Sequence, residues 1–264
     1  LLAVEFPENT QCVVRAPVGP EICTDRGGVH VGVVATLVDV LGASLAIRAI
    51  YPDWIATAGL SIYMARPAKS GTVVASGTVI RAGQSINVID VDISEESASS
   101  PRPGTSIGSA VMTYSRLPRK EDTIEVEADS VDGITFGVEG SGLLRRYLDE
   151  VGLVILDDTA GIVEVKMTDY VRNSFQAIQG GIVALLVDLA GQCAARATTG
   201  KPLITRDMTI HYLAQGKLGP FRTRARVLRK TSDTVVTRIE VRDKGANDRL
   251  LTVGMNTATL DYSL

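Results

Sequence analysis

The sequence is poor in the residues that usually announce a mechanism. It has 2 histidines in 264 residues, His30 and His211, and neither sits in an H-E-x-x-H run or a Cys/His cluster, so no metal site is expected. The 3 cysteines, Cys12, Cys23 and Cys193, form no C-x-x-C pair. An odd set with one member inside an apolar stretch reads as reduced thiols of a cytoplasmic chain rather than a disulfide framework. Aromatic residues make up 5% of the chain, which leaves Val, Leu, Ile and Ala to build the core. Net charge is −3 with no basic cluster, which speaks against nucleic acid or a membrane surface as partner. The two apolar stretches are broken by Asp and Gly and read as too short to cross a bilayer, and neither has the form of a signal peptide. The sequence opens on Leu rather than Met, as a trimmed form of a longer chain would.

What is present is a repeat. Gly32-Val33-Val34-Ala35-Thr36-Leu37-Val38-Asp39-Val40 aligns without a gap on Gly181-Ile182-Val183-Ala184-Leu185-Leu186-Val187-Asp188-Leu189. Each copy continues as a helix of small apolar residues. A helix that is apolar all round is buried on all sides. A carboxylate in its middle is then costly unless it is hydrogen-bonded or changes its pKa. The same anomaly in the same place twice points to use.

The order around the repeat is also duplicated. A turn-rich loop, 24–30, leads to a helix over 32–50 that stops before Pro52. Strand-like segments follow at 57–66, 72–81, 85–94 and 105–117, with a Ser/Pro/Gly loop at 97–104. An acidic stretch, 118–141, reads as a linker with one strand at most. The second unit opens with an amphipathic helix at 143–150 and strands near 153–156 and 162–167. The loop 173–180, a second apolar helix and strands at 204–212, 221–228, 234–242 and 250–260 then follow. Connections this short preclude βαβ crossovers, so each sheet is antiparallel and wraps its helix: an α+β architecture in domains 1–117 and 142–264. Gly104-Thr105-Ser106-Ile107-Gly108 matches a nucleophile elbow, but strand-like sequence rather than a helix follows it, so a serine hydrolase is not expected.

These residues resemble the hotdog-fold thioesterases, in particular the branch of phenylacetate-pathway and acyl-CoA thioesterases. The motif there is Asn, then His-Gly-Gly six positions on, then Asp nine after the His. The first unit has Thr24, His30-Val31-Gly32 and Asp39. The second has Asn173, Gln179-Gly180-Gly181 and Asp188. The next strands, 57–67 and 205–215, each begin with Thr, where similar enzymes place a hydroxyl beside the catalytic water. The resemblance spans about 10–117 and 150–261. It implies two fused hotdog domains forming an internal pseudo-dimer, with sites between them. One site would hold Asn173, Gln179, Gly180, Asp39 and Thr57; the other would hold Thr24, His30, Val31, Asp188 and Thr205. It implies a small-molecule acyl-CoA substrate, no metal or bound cofactor, coenzyme A being part of the substrate, and a homodimer of tandem hotdogs.

Thioester hydrolysis requires a polarised carbonyl and an activated water. The free N–H groups at each helix start suit a developing oxyanion, and Gly32, Gly180 and Gly181 would let a substrate approach the backbone. The aspartate would be base or nucleophile. Asn173 and Gln179 would orient the carbonyl or the water, and Thr57 and Thr205 would hold the water. Arg81, Arg229 and Lys230 would meet the phosphates of coenzyme A. His211 reads as structural. A non-catalytic acyl-ligand binder and a hotdog enoyl-CoA hydratase using His30 stand as alternatives.

Overall fold

The computed structural model describes residues 2–7, 10–97, 104–118, 135–136, 143 and 145–260. Most of the acidic stretch 118–141 and of the loop 97–104 therefore lies outside the described residues. In the first half, β1 (Leu2–Glu5) and β2 (Gln11–Pro17) precede helix α1 (Val31–Ile50), followed by β3 (Trp54–Met64), β4 (Thr72–Ala82), β5 (Ile86–Glu96) and β6 (Thr105–Leu117). A two-residue strand, β7 (Thr135–Phe136), pairs with β1. The second half has α2 (Tyr147–Val151), β8 (Val154–Asp157), β9 (Ile162–Val165), α3 (Gly180–Thr199), β10 (Leu203–Tyr212), β11 (Phe221–Lys230), β12 (Thr234–Asp243) and β13 (Arg249–Leu260). The 105–117 segment is strand β6 throughout, so Ser106 is a strand residue and not the turn of an elbow. The amphipathic segment at 143–150 yields only the single turn and a half of α2.

All strands join one antiparallel sheet in the order β7-β1-β2-β4-β5-β6-β3-β10-β13-β12-β11-β9-β8. The halves are related about the β3–β10 seam, where Ser61 lies opposite Thr209, flanked by Leu60 opposite Ile210 and Ile62 opposite Met208. Both seam strands carry a bulge just after their threonine, between Thr57 and Gly59 and between Thr205 and Asp207. A bulge re-aims the adjacent side chain. Here it accompanies the two hydroxyls that meet the helix carboxylates.

α1 packs on β2–β6 and α3 on β9–β13, and the two helices pack on each other. Both are 20 residues, so by length and composition alone each could cross a membrane, contrary to the sequence reading. Two thirds or more of each apolar window is instead buried inside this structure, 67% and 72%. Val and Ile are weak helix formers, so it is this burial that holds α1. The crossing depends on glycine. A Cβ on Gly32 would lie 2.8 Å from the Leu185 Cα, and one on Gly181 would lie 2.9 Å from the Thr36 Cα. Thr36 Oγ1 donates to the carbonyls of Gly32 (2.9 Å) and Gly181 (3.1 Å), tying the helices at this point. All three cysteines are buried, and none of them is in a disulfide.

Candidate active site

Each helix aspartate lies two turns beyond a helix start and reaches across to the start of the other helix. Asp39 Oδ2 accepts the Gly181 N–H at 2.8 Å, and Asp188 Oδ2 accepts the Gly32 N–H at 2.8 Å. The exchange is reciprocal, so α1 and α3 run antiparallel. Each carboxylate thereby takes one of the free amides and the partial positive charge of a helix N-terminus. Each also accepts a threonine hydroxyl from the bulged strand: Thr57 to Asp39 at 3.1 Å and Thr205 to Asp188 at 2.5 Å.

Around this shared frame the two sites differ. Asp39 opens on a cavity of about 780 Å³. Its walls come from both halves: Val40, Ala43, Ser44 and Ile47 of α1, Trp54–Ala58 of β3, the 172–180 loop, and the 212–216 segment. Trp54 and Phe175 meet edge to face across the halves, with ring centroids 4.7 Å apart. Burial pushes the Asp39 carboxyl up to about 6, against the lowering effect of the Thr57 and Gly181 hydrogen bonds. Gly180 faces the same carboxylate so closely that a Cβ there would lie 2.9 Å from both Asp39 oxygens and 3.0 Å from Thr57 Oγ1. Among the described residues, the Gly180 N–H, the first of α3, has no partner.

Asp188 is fully buried, and the space beside it is about 10 Å³, lined by Thr24, His30, Val31, Gln192, Ile204 and Thr205 among others. Two substitutions between the halves account for the closure. Gln192 stands where α1 has Ala43, and its Nε2 donates to Asp188 Oδ1 at 2.9 Å. Ile204 stands where β3 has Ala56. Asn256 completes the packing by donating to Thr205 Oγ1 at 2.9 Å.

The loops ahead of the helices are built alike, each closed by an isolated bridge, Cys23 to Val29 and Arg172 to Ile178. In the second, Asn173 Oδ1 accepts the N–H groups of Phe175 (2.9 Å) and Ala177 (3.1 Å). Thr24, its counterpart, takes only the Arg26 N–H, at 3.3 Å. Gln179 Nε2 donates to the carbonyls of Tyr170 and Arg172 at 3.3 and 3.2 Å. Asn173 and Gln179 thus hold the loop that borders the cavity, rather than being free to orient a substrate with these atoms.

Other placements correct the sequence reading. Gly32 and Gly181 are buried at the helix crossing and offer no surface to a substrate. Val31 and His30 lie at the closed site. Among the described residues His30 Nε2 is buried without a partner, burial lowers its pKa, and it does not border the open cavity at Asp39. Arg81, Arg229 and Lys230 stand exposed at the β4–β5 and β11–β12 hairpins and do not border the cavity; the arginine that does is Arg172. His211 is an exposed strand residue.

Two tyrosines that the sequence pattern does not mark also hold the site. Tyr212 O–H donates to the Gly180 carbonyl at 2.9 Å, and Tyr114 O–H donates to the Asp39 carbonyl at 3.0 Å. Gly42 makes room for the latter, since a Cβ there would lie 2.5 Å from the Tyr114 oxygen. Comparison of the halves carried a signal for the closed site, in Ala43 against Gln192. For the tyrosines, which sit in different places in the two halves, it carried none.

A curved antiparallel sheet around paired central helices, with a helix-borne carboxylate against the partner helix's first amides, defines a double hotdog of the thioesterase kind. The chain belongs to the thioesterase superfamily, whose family model matches residues 26–100 and 175–248, one segment in each half. It is a thioester hydrolase by that membership. It is 30% identical over 118 residues to human acyl-coenzyme A thioesterase 13, an alignment covering 44% of this chain and 84% of the human protein. Among solved structures, the tesB protein of Mycobacterium avium subs. paratuberculosis superposes with a TM-score of 0.63 at 10% identity, over 97% of this chain and 94% of that one. An acyl-ACP thioesterase from Bacteroides thetaiotaomicron gives 0.61 at 9% identity, over 95% and 98%. At such identities the likeness is one of fold.

Proposed function

We propose that the chain hydrolyses acyl-CoA thioesters at one site, the open cavity at Asp39, and that the Asp188 site is a closed structural counterpart. The observation that carries this is the difference in space beside two equivalent carboxylates, about 780 Å³ against about 10 Å³. The human relative's name supports coenzyme A as the carrier.

In this reading the thioester carbonyl oxygen lies against the Gly180 N–H, which the α3 dipole strengthens as an oxyanion donor. Asp39 acts as general base on a water held by Thr57, whose proton is committed to Asp39 and whose lone pairs are left to accept. Three features favour base over nucleophile. Both carboxylate oxygens already accept hydrogen bonds, the Gly180 backbone crowds the carboxylate, and a pKa of about 6 suits proton abstraction near neutrality. Proton transfer to Asp39 as water attacks gives the tetrahedral intermediate; its collapse expels the thiolate, which is reprotonated, and releases the carboxylic acid. The acyl group takes the apolar wall of Ala43, Ile47 and Ile55.

Free-thiol release from short, long and aromatic acyl-CoAs tests the assignment. Asp39→Asn is expected to lose about 10³-fold in kcat, the usual range for a general base. Asp188→Asn is expected to keep kcat per folded molecule while losing about 1–3 kcal/mol of stability, because both carboxylate oxygens accept from donors and the amide N–H₂ that replaces one of them cannot. Full activity in Asp39→Asn would refute the proposal.

A further inference from the structure

We infer that Trp54 and Phe175 are the end wall of the acyl slot, and that they select straight acyl groups of medium length, about eight carbons. The inference rests on the reading of Asp39 as the site of hydrolysis and names the substrate class of that site. The slot follows from the order of the elements. On α1, Asp39, Ala43 and Ile47 all border the cavity and stand one turn apart, in line on one face of the helix. Two turns from Asp39 to Ile47 advance about 12 Å. On β3, Thr57 donates to Asp39, and Trp54 stands at the start of the strand, about 10 Å away. Only a short turn joins the end of α1 to β3, so Ile47 and Trp54 lie at the same end. The 172–180 loop of the other half covers this line: Gly180 faces the Asp39 carboxylate, and Phe175 meets Trp54 edge to face. C–C bonds of about 1.5 Å, zigzagged, carry an extended hydrocarbon forward by about 1.3 Å per carbon. About eight carbons therefore reach from the carboxylate to the aromatic pair.

Comparison of the halves ties this wall to the open site. Ile47, Trp54 and Phe175 have as counterparts Arg196, Pro202 and Arg26, and all three counterparts are exposed. The apolar wall is present where the carboxylate has space beside it and missing where that space is filled. The wall is also held in place. Trp54 is 8% exposed although it borders a cavity. Asn173 Oδ1 fixes the backbone on both sides of the Phe175 ring by accepting the N–H groups of Phe175 and Ala177. Longer acyl groups must displace a packed aromatic pair, and shorter ones leave apolar surface uncovered.

Thiol release from straight acyl-CoAs, acetyl to palmitoyl, tests this. kcat/KM is expected to climb about fourfold per methylene up to octanoyl, as each buried CH₂ contributes, and to fall beyond decanoyl. Phe175→Ala opens the wall and is expected to raise the palmitoyl-to-octanoyl ratio of kcat/KM by about tenfold or more. Ile47→Phe is expected to move the maximum to butanoyl. Trp54 is the protein's only tryptophan, so its emission reports contact without turnover. In Asp39→Asn that emission is expected to shift on addition of octanoyl-CoA and to stay unchanged with acetyl-CoA. A wild-type maximum at acetyl or palmitoyl, a maximum that neither substitution moves, or equal emission changes with acetyl- and octanoyl-CoA overturns the inference. Full thiol release in Asp39→Asn, or none in the wild type, refutes the hydrolytic reading instead, and the Trp54 titration then still decides whether the wall meets the acyl group.

Discussion

At the scale of residues, Asp39 trades stability for chemistry. Its folded pKa of about 6 stands above the ordinary 3.8, so the folded state binds the proton more tightly than the unfolded chain does. Stability on this account is highest below pH 3.8, is lost as pH rises towards 6, and is lower by about 3 kcal/mol above that. Asp39→Asn carries no such charge, and its side chain can still accept the Gly181 N–H. The variant is therefore expected to melt higher than wild type at pH 7.5, with the gap closing towards pH 4, as scanning fluorimetry at several pH values would record. Activity runs the other way. The base must be ionised, so kcat/KM is expected to fall tenfold per pH unit below about 6. A profile flat to pH 5 would remove Asp39 from the role of base. The neighbouring asymmetry is of the same scale: the methyl of Ala43 leaves the cavity open, whereas the amide of Gln192 fills the equivalent place and satisfies Asp188.

At the scale of elements, three glycines at the helix starts do two different jobs. Gly32 and Gly181 permit the α1–α3 crossing, and their hypothetical Cβ atoms run into the opposite helix backbone. Gly180 meets instead the oxygens of a side chain. Gly181→Ala is accordingly expected to cost about 2–3 kcal/mol by overpacking a contact that cannot yield. Gly180→Ala is expected to displace the Asp39 carboxylate and lose roughly 10²-fold in kcat, as small misplacements do, with a lesser shift in melting temperature. Denaturant melts set beside thiol-release rates for the two variants would separate these outcomes, and identical behaviour would contradict the division.

At the scale of the molecule, the halves are not independent. β3 and β10 pair across the seam, the helices exchange carboxylate-to-amide bonds, and the open cavity takes its carboxylate from one half and its loop from the other. Unfolding is therefore expected as one cooperative transition, with calorimetric and van't Hoff enthalpies equal within error. Two resolved transitions would show that the seam is weaker than its bonds suggest. The same coupling explains how one site can close without loss of the fold: its carboxylate still anchors the crossing after the space beside it is filled.

The sequence by itself determined the architecture. The doubled Gly-to-Asp helix, the short strand connections and the two threonines are local patterns, and periodicity and chain reach fix what they form. It also marked both aspartates, because a charge in an all-apolar helix is visible without coordinates. It did not separate the live-looking site from the filled one, nor distinguish glycines that face a cavity from glycines that face a helix. Arg81, Arg229 and Lys230 carried phosphate-binding chemistry in the sequence yet stand away from the cavity. Tyr114 and Tyr212, unremarkable in a strand pattern, proved to hold the site's backbone. Such distinctions depend on which side chains from distant segments meet, and on how much space they leave, and only the tertiary structure decides that.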